Sequence, residues 1–173
     1  MKISLFVLLN IIALNISAQS TVLSDFETTQ TLPDFWTFGC FYEFTENPQR
    51  DETNPSLLVG KVHKNARPSM ISGLAADLST SIDLNRSGHL KMKVLALTKA
   101  GKVRIKLESP SSSVLYTELY TEIAKTGEWQ ELIFPLDKAD KKYNRIVISF
   151  NVGELSDDVY YFDDLIWVPT SKQ

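Results

Sequence analysis

The stretch "HLKMKVLAL", residues 89–97, alternates along its length. Leu90, Met92, Val94 and Ala96 fall on one face, and His89, Lys91, Lys93 and Leu95 on the other. "KVRIKLES", residues 102–109, repeats the pattern with Val103, Ile105 and Leu107 opposite Lys102, Arg104, Lys106 and Glu108. A period of two marks a strand with one buried face. Runs of the same kind include "TVLSDFE", "FWTFGCFYEF", "LLVGKVHKN", "MISGLAADLS", "SVLYTELY", "EWQELIFPL", "NRIVISFNVG" and "VYYFDDLIW". Polar turn clusters such as "TENPQRDETNPS" separate them, and helical periodicity is scarce. The pattern predicts an all-β, antiparallel β-sandwich of nine or ten strands in one domain.

The first 18 residues stand apart. "MKISLFVLLNIIALNISAQS" has an early lysine, an apolar run and a small residue at Ala18. This layout predicts a signal peptide over 1–18, cleaved before Gln19, with 19–173 as the mature domain. The run is short for a span of about 20 residues, and no cysteine lies near the cleavage point for a lipoprotein anchor. The expected product is secreted, periplasmic or held at the cell surface, without membrane insertion. Cleavage takes Lys2 and no acid, moving the formal net charge from −3 to −4. A weakly acidic chain without a basic block argues against nucleic acid as partner. Cys40 is the only cysteine, so no internal disulfide forms, and it reads as a small apolar core residue.

Within "VYYFDDLIW", Asp163 and Asp164 interrupt an apolar strand. Strict alternation turns one of them inward, where an unpartnered carboxylate is costly or takes up a proton. "DFE" at Asp25–Glu27 likewise sets acids into the first strand. If the terminal strands are neighbours, Glu27 and Asp163 converge and need a cation between them. Oxygen ligands without nearby His or Cys point to Ca²⁺ rather than Zn²⁺. Calcium takes about six to eight oxygens, so backbone carbonyls and loop groups such as Asn54 must complete the shell. The plainer alternative is that Asp163 or Asp164 caps a strand end or pairs with a lysine.

In order, "DFE", "NPS" after a long turn, "GEWQEL" and "YYFDDL" resemble the galactose-binding-like jelly rolls. More narrowly, they are similar to carbohydrate-binding modules of exported bacterial glycan-processing proteins, over Ser24 to Trp167. The resemblance implies a jelly roll that binds a polysaccharide or oligosaccharide. It also implies a structural calcium held by Glu27 and Asp163, with Asp164 as the alternative to Asp163 and Asp25 as a further candidate.

A sugar site needs an aromatic platform and polar groups for the hydroxyls. Trp36, Phe41, Tyr42, Tyr116, Tyr120, Trp129 and Trp167 are the candidate platforms. Trp129 and Trp167 lie on regular strands and read as core. Trp36 and Tyr42 flank a segment without clean alternation and are better ligand candidates. Lys91, Lys93, Arg104, Lys106, Glu108, Tyr116 and Glu118, with His63, are expected on one polar sheet face. Solvated charges are its ordinary reading; as a groove, its cations would favour an acidic polysaccharide.

Glu108, Glu118 and Glu122 supply carboxylates for glycoside hydrolysis only on paper. No nucleophile elbow, phosphate loop or histidine-rich metal motif occurs. The expectation is therefore a non-catalytic glycan-binding module. The alternatives are a structural or adhesive protein with a protein partner, and a small polysaccharide-active enzyme.

Overall fold

The structure, a computed structural model, describes residues 19–27, 33–64, 72–109 and 111–170. The signal-peptide expectation for 1–18 lies outside them. Eleven strands occur among the described residues: β1 (Thr21–Ser24), β2 (Trp36–Phe38), β3 (Cys40–Glu46), β4 (Leu58–Lys64), β5 (Gly73–Asp83), β6 (Gly88–Ala96), β7 (Lys102–Ser109), β8 (Ser112–Glu122), β9 (Trp129–Leu136), β10 (Lys142–Ser149) and β11 (Asp158–Pro169). Among the same residues no helix is long and apolar enough to cross a membrane.

The strands form two antiparallel sheets. The first runs β3-β4-β11-β6-β9, with β1 also paired to β11, and the second runs β2-β5-β10-β7-β8. Between them lie the apolar positions of the alternating runs, including Leu90, Met92 and Val94 of β6, Ile105 and Leu107 of β7, and Ile146 and Ile148 of β10. Phe150 stacks on Tyr160 at 5.0 Å and tilts against Phe162 at 5.8 Å.

The run "FWTFGCFYEF" is two strands rather than one. Gly39, at φ 63°, sits between them. A positive φ comes cheaply only to glycine, and this turn passes the chain from the second sheet into the first. Alternation restarts there, which is why no single period fits the segment.

The terminal strands are neighbours, with Thr21 opposite Trp167 and Val22 opposite Ile166. Beyond β1, Phe26 takes φ 56° and is fully buried edge-on to Phe162, 5.1 Å between centroids. Gly60 makes room for both rings: a Cβ there would lie 2.6 Å from Phe162 and 2.9 Å from Phe26.

Candidate functional site

The outer face of the second sheet is a grid set by strand register. One row runs Trp36, Ala75, Val147, Lys106, Glu118 from β2 to β8. The next runs Asp77, Arg145, Glu108, Tyr116. On the other side Ser149, Arg104 and Tyr120 stand in line. Large groups occupy the rims and small ones the middle, leaving a depression of about 250 Å³. Trp36, Phe38, Ala75, Val147, Arg104, Lys106, Glu108 and Arg145 line it. Gly73 belongs to this floor: a Cβ there would lie 2.7 Å from the Ser149 hydroxyl and 2.3 Å from a backbone carbonyl. The two rims are four strand spacings apart, about 19 Å.

Trp36 is 45% exposed, Tyr116 50% and Tyr120 48%. Each of the first two carries a cation over its ring. The Arg145 guanidinium lies 5.0 Å from the Trp36 ring centroid, and Lys106 Nζ lies 4.5 Å from that of Tyr116.

Every one of these cations is held by an acid. Arg145 donates twice to Asp77, at 2.7 and 3.2 Å. That bond keeps the Asp77 carboxyl below the usual carboxylate range and raises Arg145. Lys106 pairs with Glu108 at 2.6 Å. Arg104 donates to Glu118 at 3.3 Å and to the Ser149 hydroxyl at 3.2 Å, while the Tyr120 hydroxyl donates to the other Glu118 oxygen at 3.1 Å. The face is thus nearly neutral and presents donors and acceptors in fixed positions.

Trp36, Arg104, Lys106, Tyr116 and Glu118 come together on this face. Four other candidates do not join them. Lys91 and Lys93 are on β6 and His63 is on β4, both in the first sheet. The run after β6 is not its hairpin partner: residues 97–101 carry the chain across to the other sheet. Tyr42 turns inward, edge-on to Phe35 at 5.3 Å, and burial pushes its hydroxyl up to about 12. Arg145 and Asp77 were missed from the sequence, although Arg145, Val147 and Ser149 alternate in "NRIVISF".

Trp167 is buried in the main core. Trp129 is buried elsewhere, in a small cluster with Val59 and Leu95 on the outer side of the first sheet. The 47–57 segment covers it: the Trp129 indole donates to the Gln49 carbonyl at 2.6 Å.

The same segment reaches the acidic pair. Asp163 pairs with Lys93 and Ile166 with Lys91, so β11 holds one extra residue between them. This bulge, with Asp164 at φ 47°, breaks the expected alternation. Both aspartates lie on the side of Lys93, away from the main core. Asp164 pairs with Lys93 at 2.6 Å and is partly exposed. Asp163 is fully buried. Burial pushes its carboxyl up to about 6, with Ser56 and Asn54 beside it pulling the other way. Its Oδ1 accepts from the Asp164 amide at 2.8 Å, and its Oδ2, with the Ser56 and Asn54 side chains beside it, has no well-formed hydrogen bond among the described residues.

Glu27 approaches the same segment. Its Oε1 accepts from the Leu57 and Leu58 amides at 2.6 and 3.0 Å. Asp25 accepts the Glu27 amide at 3.2 Å and so shapes the turn. Among the described residues, Ser24 Oγ and Asn54 Nδ2 are likewise buried without a well-formed hydrogen bond. Ser24 pairs with Leu165 next to the bulge. Unsatisfied buried polar atoms are rare; of these three, Ser24 Oγ and Asp163 Oδ2 are oxygens that a cation could take, whereas Asn54 Nδ2 is a donor. Among the described residues no three His, Cys, Asp or Glu side chains cluster as a metal set. Any cation here must therefore draw on Asn54, Ser24 and backbone carbonyls besides Glu27 and Asp163.

No family model matches the chain, and no curated protein matches it. Solved structures do. A variant of a family 29 carbohydrate-binding module complexed with cellulohexaose is 17% identical, covers 88% of this chain and 92% of its own, and has a TM-score of 0.60. A variant of that module with mannohexaose shows the same identity and coverage, with a TM-score of 0.59. The likeness is one of fold: a two-sheet antiparallel β-sandwich of the jelly-roll type. An exo-β-agarase is 11% identical with a TM-score of 0.68; the match covers 88% of this chain but a quarter of the enzyme.

Proposed function

We propose that the protein is an exported, non-catalytic glycan-binding module whose ligand lies across the outer face of the second sheet. One observation carries this reading: half-exposed aromatics stand on both rims of a small-residue floor studded with ion-paired donors and acceptors. A sugar ring needs that combination of flat apolar surface and fixed polar groups. The separation of the rims suits an oligosaccharide running across the strands, with different sugars on Trp36 and on Tyr116 or Tyr120.

Pairing of Arg104, Lys106 and Arg145 with acids favours a neutral glycan over the acidic one that the cations alone suggest. The neutral hexasaccharides bound by the family 29 module support this preference. Glu108, Glu118 and Glu122 each lie against a cation. Carboxylates engaged in ion pairs in this way favour a binding role over the acid and base pair of a glycosidase.

We place a structural calcium between Glu27 and Asp163, with Asn54 and backbone carbonyls completing its oxygen shell. The buried Asp163 Oδ2, without a well-formed hydrogen bond, supports this assignment. When bound, calcium supplies positive charge that lets Asp163 ionise in a buried site and ties the ends of β1 and β11 to the 54–58 segment.

The direct test is affinity electrophoresis of the mature protein through gels containing a soluble cellulose derivative, a mannan, agarose or an acidic polysaccharide, with calcium present. Retardation by a neutral glycan that Trp36→Ala weakens is the expected result. Failure of every glycan to retard the protein would overturn the reading in favour of a protein-contacting surface protein.

A further inference from the structure

The first sheet carries a second arrangement of the same parts, on the opposite side of the sandwich. Phe41, on edge strand β3, is 66% exposed, the highest among the large apolar side chains of the described residues. It stands opposite His63 of β4, with ring centroids 6.3 Å apart and planes tilted by 43°. The His63 ring is held in turn by a hydrogen bond between Nε2 and the Asp157 carboxylate. Two positions along the same face, Glu43 stands opposite Lys61 and pairs with it at 2.6 Å. Residues i and i+2 on a strand are separated by about 7 Å. A hollow of about 330 Å³ opens beside these side chains.

An exposed aromatic on an edge strand is a liability, because it offers apolar surface beside an unpaired backbone edge. It is retained here beside a neutralised ion pair and a histidine fixed by a carboxylate. Those groups reproduce the aromatic platform and paired polar groups of the second sheet. We propose that this hollow is a second sugar-binding site, taking one neutral pyranose or the end of a chain. The sugar stacks on Phe41 and exchanges hydrogen bonds with Lys61, Glu43 and His63. Two sites on opposite sheets make the protein bivalent, so that it bridges separate glycan chains. The inference rests on the reading of the second sheet as the first site.

The test compares parent, Trp36→Ala, Phe41→Ala and the double variant. Each is titrated calorimetrically with cellulohexaose and mannohexaose, and mixed with soluble hydroxyethylcellulose, galactomannan or agarose while turbidity is followed. Both side chains are substantially exposed, so the variants should fold. The expected parent binds two ligands and clouds one of the polysaccharides. Phe41→Ala binds one ligand and stays clear, Trp36→Ala keeps the weaker site, and the double variant binds nothing. A parent stoichiometry of one, lost with Trp36→Ala and unaffected by Phe41→Ala, overturns the second site and leaves the first. Binding lost with Phe41→Ala but unchanged by Trp36→Ala overturns bivalence and the first site together.

Discussion

Arg145 lies over the indole of Trp36 and is itself gripped by Asp77. A cation over an aromatic face steadies the ring by about 0.5–1 kcal/mol at an exposed site. The indole remains 45% exposed beside the guanidinium. Trp36→Ala should lower glycan affinity at least about tenfold, the size of a central aromatic contact, with little change in melting temperature. Asp77→Ala should weaken binding by less, because Arg145 loses its clamp but Trp36 remains. Titration calorimetry beside thermal melts checks both; an affinity unchanged by Trp36→Ala would place the ligand elsewhere.

Charge balance on that face leads to a second expectation. With each cation paired, binding of a neutral oligosaccharide should change little between low and physiological salt. Screening acts strongly on unpaired exposed charges. A steep fall in affinity with salt would identify an acidic ligand instead.

Asp163 sets a pH dependence whose sign differs with and without calcium. Without the ion its folded pKa is about 6 against an ordinary 3.8. Between those values the folded state holds the proton and the unfolded state releases it. The contribution of Asp163 to stability should therefore be greatest below the lower value and decline as pH rises to the upper one, by on the order of 3 kcal/mol, a decline read as the difference between the parent and Asp163→Asn. Calcium binds the ionised carboxylate, so its stabilising effect should grow over the same interval. Thermal melts in chelator and in calcium from pH 4 to 7 measure both arms. Asp163→Asn should flatten the decline in chelator and blunt the calcium response. Equal melting temperatures for the parent with and without calcium at pH 7 would sink the metal assignment.

Gly60→Ala tests the wedge beside that site. The new methyl would meet the Phe162 and Phe26 rings well inside contact distance. Overpacking of this kind costs about 1–3 kcal/mol, or roughly 3–10 °C in a domain of this size. Glycan binding should survive, since the second sheet is untouched. An unshifted melting point would mean that Phe26 is free to move aside.

Alternation was enough to read the sandwich, because each strand buries one face and the period survives in the sequence. It says nothing about which sheet a strand joins. β6 and β7 carry the same pattern, yet they lie in different layers, and Lys91 and Lys93 went with the wrong one. The neighbouring of the terminal strands entered only as a condition, which the pairing of β1 with β11 meets; the side taken by Asp163 was not foreseen. A one-residue bulge resets the facing of everything after it and leaves no mark on composition. Trp129 read correctly as buried; its cover is the polar 47–57 segment, which looks like an ordinary loop.

The pairing of Thr21 with Trp167 brings the entering and leaving chain to the same end of one ladder. Tension applied between the two ends would therefore peel β1 from β11 one rung at a time rather than shear the whole ladder at once. The bulge beyond the Ser24–Leu165 rung lies where that peeling would arrive next, so a cation bound there would act as a rivet against mechanical load.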